Sequence, residues 1–137
     1  MKNDIMLISS GYDQQIKFWS DFNNNKCKHI YEIHKNDGPV NSLEMLPNNI
    51  ELAFAVNNNI KFLDLETISQ SQSTTISSHS GIVNNILFYK DNSQVFFSGG
   101  EDAKIKLNDR RIGKCVKELK HTSYITSLQL GLNNVKI

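Results

Sequence analysis

The stretch SGYDQQIKFW, from Ser10 to Trp19, decides how this chain folds, because its pattern returns twice. It comes back as AVNNNIKFLD, from Ala55 to Asp64, and as GGEDAKIKLND, from Gly99 to Asp109. With Ile16, Ile60 and Ile105 in register, the steps are 44 (60 minus 16) and 45 (105 minus 60) residues. Self-similarity at roughly 40 to 45 residues, with a polar tight turn before an alternating Ile-Lys-Phe run, is the period of a four-stranded propeller blade rather than of a helical solenoid. The fold class is therefore all-β, with about three blades.

Each copy reads as a hairpin. The residues before the apolar run tolerate left-handed backbone or bond their own backbone, so the chain reverses there between two strands. Asp13, Asn57 and Asp102 hold the same turn position. After the first turn Ile16, Phe18 and Ser20 point one way while Lys17 and Trp19 point the other, a period of two that a helix does not produce.

Outward from these hairpins, Ile5 to Ser10 is expected to enter the first turn and Ile16 to Ser20 to leave it. Asp21 to Lys26, with Asn23 to Asn25, reads as a polar loop, and Cys27 to Ile33 as an outer strand. This places a first blade, lacking its inner strand, at residues 1–33, a second at 34–78, a third at 79–120, and the inner strand of a fourth at 121–137. The inner strands share one apolar spacing: Val40, Leu43, Met45; Val83, Ile86, Phe88; Ile125, Leu128, Leu130. Each follows a histidine, His34, His79 or His121. Turns at Pro47 to Asn49 and Lys90 to Ser93 lead into strands at Ile50 to Ala55 and Gln94 to Gly99. The outer strand of the second blade is expected at the end of the polar stretch between Asp64 and His79, and that of the third at Cys115 to Leu119. Such repeats bury their apolar faces only against neighbours, so three blades leave two faces uncovered and the chain reads as part of a larger ring. Leu128, Leu130 and the far face of the third blade are then exposed, and the strand at Ile125 has an unpaired edge.

A net charge of +1, from 15 basic and 14 acidic residues, carries no basic excess of the kind nucleic-acid partners require. The Met1 to Ser10 segment is too short in apolar residues for a signal peptide, and no run approaches the roughly 18 apolar residues of a membrane span. The expectation is a soluble cytoplasmic chain with protein partners, no nucleic acid and no membrane insertion. Cys27 and Cys115 lie 88 residues apart (115 minus 27), two repeat lengths, which predicts equivalent buried free thiols rather than a disulfide. The 17 asparagines fall nearly all at predicted turns or exposed strand positions. No Gly-rich phosphate loop, metal-spaced His or Cys pair, or Gly-x-Ser-x-Gly elbow occurs, so neither an enzyme nor a cofactor or metal site is expected. The histidines each open a different repeat and read as structural, with Ser98 and Asp102 as partners of His79 in a buried polar network.

A histidine, an inner strand of V-x-x-L-x-M type, an S/G-x-D turn, and I-K-F/L followed by W, L or N and then S or D resemble the WD-repeat family over the whole chain. The Asp-His-Ser-Trp network of that family has counterparts in Asp13 and Trp19, in His34, and in His79, Ser98 and Asp102. Asn57 stands where the family has Asp, and Leu63 and Asn108 where it has Trp, which implies weaker blades. Within the family, SGYDQQIKFW, VNSLEMLPN and SGGEDAKIKLNDRR are similar to the WD-repeat subunits of target-of-rapamycin (TOR) kinase complexes. That resemblance implies a partial propeller, about three blades of an expected seven, and a non-catalytic scaffold that binds and stabilises the TOR kinase domain alongside other TOR complex subunits. A shared ring does not fix the job. The alternatives are an adaptor of another assembly, either a ubiquitin-ligase substrate receptor or an RNA-processing complex. For the first, Asn108-Asp109-Arg110-Arg111 resembles a W-D-x-R docking motif without its Trp. Propellers of this family meet partners on the top rim, which here maps to Tyr12, Val56 and Glu101 in the turns and to Pro39, Asn41, Ile82, Asn84, Tyr124 and Thr126 beside the inner strands. Tyr12, Ile82 and Tyr124 are the candidate anchors.

Overall fold

The computed structural model describes residues 6–21, 24–70 and 75–131. The expected strand start at Ile5, Asn23 of the polar loop, residues 71–74 before the second blade's last strand, and residues 132–137 lie outside the described residues.

Eleven strands and no helix occur among the described residues. They are β1 (Leu7–Ser10), β2 (Gln15–Asp21), β3 (Lys26–Glu32), β4 (Val40–Met45), β5 (Glu51–Val56), β6 (Asn59–Asp64), β7 (Ser69–Gln70), β8 (Val83–Phe88), β9 (Val95–Gly100), β10 (Lys104–Asp109) and β11 (Lys114–Lys120). Strands next to each other in sequence pair antiparallel, giving meander sheets β1-β2-β3, β4-β5-β6-β7 and β8-β9-β10-β11. The chain is all-β, a partial propeller of three blades. Its sheets stand side by side because each buries an apolar face against the next. Ile16 and Phe18 of the first sheet meet Val40, Leu52, Phe54, Val56 and Leu63 of the second. Ala53, Ala55, Ile60 and Phe62 on the opposite face of the second sheet meet Val83, Ile86, Phe88 and Phe96 of the third. Each Val, Leu, Ile or Phe side chain fully buried here contributes roughly 1.5–3 kcal/mol, so these two seams hold the sheets in place.

The hairpin turns set the repeat length. Ser10 faces Ile16 and Gly99 faces Ile105 across turns whose left-handed residue is Gln14 (φ 61°) or Ala103 (φ 59°). Asp13 and Asp102 brace these turns by accepting bonds from the Gln15 and Lys104 amides, at 3.2 and 3.3 Å. In the second sheet Val56 pairs with Asn59, and Asn57 itself is left-handed at φ 51°. That turn is one residue shorter, which accounts for steps of 44 and 45.

Three expectations need correction. Ile125 to Leu130 forms no strand, because no strand of a fourth sheet lies beside it among the described residues to take its hydrogen bonds. Ile125 is nonetheless seated: its amide bonds the Gly100 carbonyl at 3.0 Å, as Val83 bonds Asn57 at 2.8 Å. A Cβ on Gly99 would come within 2.4 Å of Ile125 Cγ2, so bare glycine is what lets Ile125 lie flat there. The second sheet's last strand begins earlier than expected, at β7, and its far end is a bridge between Ile76 and Ile60. Cys27 and Cys115 are free but half-buried rather than buried, each thiol reaching the carbonyl two residues on at 3.1 Å. They lie on outermost strands, which have a neighbour on one side only.

Candidate protein-interaction surface

One end of the molecule collects the hairpin turns and the loops that enter the inner strands. Ile33 bonds Gln14, Glu101 bonds Ile82 and His121 bonds Ala103, so each loop is tied by backbone to the turn beside it.

Beneath this end, the third blade contains a continuous polar chain. His79, 3% exposed, has Nδ1 2.9 and 3.0 Å from the Asp102 carboxylate oxygens and Nε2 2.7 Å from Ser98 Oγ. Asn108 donates to Ser98 Oγ at 2.9 Å, and the Ser78 hydroxyl donates to Asn108 Oδ1 at 2.9 Å. With Nδ1–H facing Asp102, Ser98 donates to Nε2 and the polar side-chain atoms of this network all have partners. Burial alone would raise the Asp102 pKa, but the hydrogen bond from His79 and those from the amides of Ser80 and Lys104 outweigh it and hold the carboxyl below its usual range. In the first blade Trp19 Nε1 donates to Ser9 Oγ at 2.9 Å, and by register Trp19 and Ser9 match Asn108 and Ser98. Asn108 thus makes the bond expected of the Trp it replaces, a role that sequence reading missed although the register carried the signal.

The other expected structural residues are placed differently. Asp13 is exposed and pairs with Lys17 at 2.9 Å; the bond from Lys17 holds its carboxyl low. His34 and His121 are exposed, and among the described residues the imidazole of each meets only an amide two residues on, at 3.4 Å. They are not members of a buried network. The reason at His34 is local: Phe54 stands where Ser98 bonds the third blade's histidine, Leu63 stands where Asn108 holds that serine, and Asn57 turns away to the Asp37 carbonyl at 2.7 Å.

Of the rim residues, Tyr12 is 90% and Tyr124 63% exposed, and Thr126 is exposed as well. Pro39, Asn41, Ile82, Asn84 and Glu101 are half-buried, with Asn84 Nδ2 holding the Ile125 carbonyl at 3.1 Å. Val56 is a correction: it is fully buried, paired with Val40 and Asn59, because the shorter turn draws it into the sheet. The rim therefore offers two bare tyrosines separated by half-buried positions. Arg110, named in the sequence only within the docking-motif run, and Glu51, unremarked there, tie the second blade to the third: Arg110 donates to both Glu51 oxygens at 2.7 and 3.2 Å while its guanidinium lies 4.0 Å over the Phe62 ring. Among the described residues no group of three or more His, Cys, Asp or Glu could hold a metal ion. No helix there is long and apolar enough to cross a membrane.

The family described as WD domain, G-beta repeat matches residues 70–109, the stretch that holds His79, Ser98, Asp102 and Asn108. Similarity to curated relatives runs along most of the chain. The chain is 29% identical to target of rapamycin complex subunit LST8-1 of Arabidopsis thaliana, over 97% of this chain and 42% of that protein. It is 29% identical to subunit LST8 of Saccharomyces cerevisiae, over 94% of the chain and 41% of the relative. It is 30% identical to subunit wat1 of Schizosaccharomyces pombe, over 96% and 41%. The chain spans about two fifths of the length of these curated relatives.

Proposed function

We propose that this chain acts as a non-catalytic WD-repeat component of TOR kinase complexes, working in the cytoplasm, where it docks on the kinase domain and stabilises it. The observation that carries this reading is similarity to subunits named for TOR complexes along 94 to 97% of the chain. The exposed Tyr12 and Tyr124 support it, since large amphipathic rings at a loop-built rim are what protein interfaces use as anchors.

The test is co-expression of the chain with the TOR kinase domain from the same source, followed by pull-down and size exclusion. Stoichiometric capture is expected, with Tyr12→Ala and Tyr124→Ala each weakening it by about 2 kcal/mol, roughly thirtyfold. Soluble, folded chain that passes the kinase by would overturn the reading.

A further inference from the structure

The first and third blades each carry half of a seam. In the third blade His79 stands four residues before the inner strand and bonds Ser98 and Asp102 of the sheet it enters. His121 stands the same four residues before Ile125, across a connection of equal length (122–124 against 80–82). His34 differs: its connection is longer (35–39), Phe54 blocks it, and an open cleft of about 470 Å³ is left between the first two blades. At His121 nothing blocks the way; among the described residues there is no sheet to receive it.

The first blade has the reverse defect. By register Ser9 and Trp19 match Ser98 and Asn108, and Asp13 braces its turn as Asp102 does. Ser9 and Trp19 already bond each other, but β1 is the free edge of its sheet and no histidine reaches it. The faces agree with this. Ile16, Phe18, Ile60 and Phe62 are at most 1% exposed under the next sheet, whereas their counterparts Ile105 and Leu107 are half-buried. At the other end Phe96, Ser98 and Asn108 are fully buried, whereas their counterpart Leu7 is exposed and Ser9 and Trp19 are half-buried.

One end therefore offers a histidine-led inner segment without a sheet, and the other a sheet with an aspartate and a serine but no inner strand. We infer that a second copy of this chain covers both: residues 121–130 of each copy lie beside β1 of the other, with His121 seated on Ser9 and Asp13. Leu128 then falls opposite Ser9 and Leu130 opposite Leu7, as Ile86 and Phe88 fall opposite Ser98 and Phe96. Ile125 is already held to the third sheet as Val83 is to the second, so the segment meets the seam on the path of the repeat. The exposed Lys17–Asp13 pair, worth little in water, gives way, and Lys17 takes the carbonyl before the histidine as Lys106 takes that of Ser78. Two copies joined at both ends leave neither face open and make a ring of six blades, within the roughly four to eight that propellers use. The inference does not rest on the TOR reading.

The test is sedimentation velocity of the chain over about 1–100 μM, read alongside the fluorescence of Trp19, its single tryptophan. We expect a species of twice the chain's mass, and a blue shift of Trp19 emission that rises with it as the seam closes over the ring. His121→Ala and Asp13→Asn, both at exposed positions, should each weaken the dimer at least about tenfold, whereas His34→Ala should leave it unchanged. A chain that stays monomeric at about 100 μM, its faces then left to a different protein, would overturn the inference. So would assembly beyond two copies, or a dimer indifferent to His121→Ala or to Asp13→Asn. No TOR component is present, so either proposal can fail without the other.

Discussion

At three register positions the second blade carries Phe54, Val56 and Leu63 where the third carries Ser98, Gly100 and Asn108. All three residues of the second blade are at most 1% exposed and belong to one apolar cluster, while Ser98 and Asn108 are equally buried but belong to a hydrogen-bonded chain ending on His79 and Asp102. Both solutions keep the antiparallel pairing of a sheet's first three strands. The difference teaches that the polar network is one way of filling a blade's centre, and that hydrophobic side chains of adequate volume fill it as well. This agrees with the general finding that a satisfied buried polar cluster can be exchanged whole for apolar packing, whereas removing one member alone is costly. The departures at Asn57 and Leu63 are therefore half of a substitution whose other half is Phe54. The exchange has a consequence at the surface, since the histidine released from the network leaves a cleft above Phe54.

The sharpest way to break this comparison is to put the third blade's residue into the second. Phe54→Ser removes a ring packed between two sheets without supplying the rest of the network, and should cost about 3–5 kcal/mol in urea unfolding. A loss below about 1 kcal/mol would mean that the apolar fill is not what holds the second blade. Next in size, Asp102→Ala leaves His79 buried without its acceptor and should cost about 2–3 kcal/mol, while His34→Ala should stay within about 0.5 kcal/mol. Similar losses at the two histidines would erase the distinction. Arg110→Lys keeps the charge but loses the fork onto Glu51 and the flat contact with Phe62, and about 1–2 kcal/mol of the coupling between the two blades should go with it.

The smallest effect separates the blades by pH. The Asp102 carboxyl is held below its unfolded value of 3.8, so its contribution is present above that pH and is lost as pH falls through the lower folded value. Glu44 of the second blade is the reverse case: burial raises its pKa above 4.5, so its ionised form opposes folding and acid relieves it. Glu44→Gln should therefore stabilise the chain at pH 7 by no more than about 0.5 kcal/mol, with the gain fading near and below pH 4.5. Asp102→Asn should lose stability at pH 7, with a deficit that narrows below pH 3.8. Stability profiles of the two variants that run parallel from pH 3 to 7 would contradict both assignments.

What the sequence could reveal followed from period and register. Alternation of Ile16 with Lys17 and of Ile60 with Lys61 exposes both the strands and their buried faces, because a strand's side chains alternate whatever their neighbours are. Register likewise brings His79, Ser98 and Asp102 to one place. Context decided the rest. Val56 read as a turn residue because a turn one residue shorter cannot be told from a shifted pattern. Ile125 to Leu130 has the spacing of an inner strand, yet a strand exists only with a partner to bond. The cleft was not legible at all, since it depends on the direction in which Lys61 and Asn57 leave the sheet and on how the loop at 35–39 is tied down.

The most direct test of the contrast between the blades is a pair of double-mutant cycles by urea denaturation, His79→Ala with Asp102→Asn, and His34→Ala with Asn57→Ala. The account predicts a coupling of about 1 kcal/mol or more in the third blade and, in the second, none beyond the roughly 0.3–0.5 kcal/mol by which independent sites scatter. Equal coupling in the two blades, or none in the third, would contradict it.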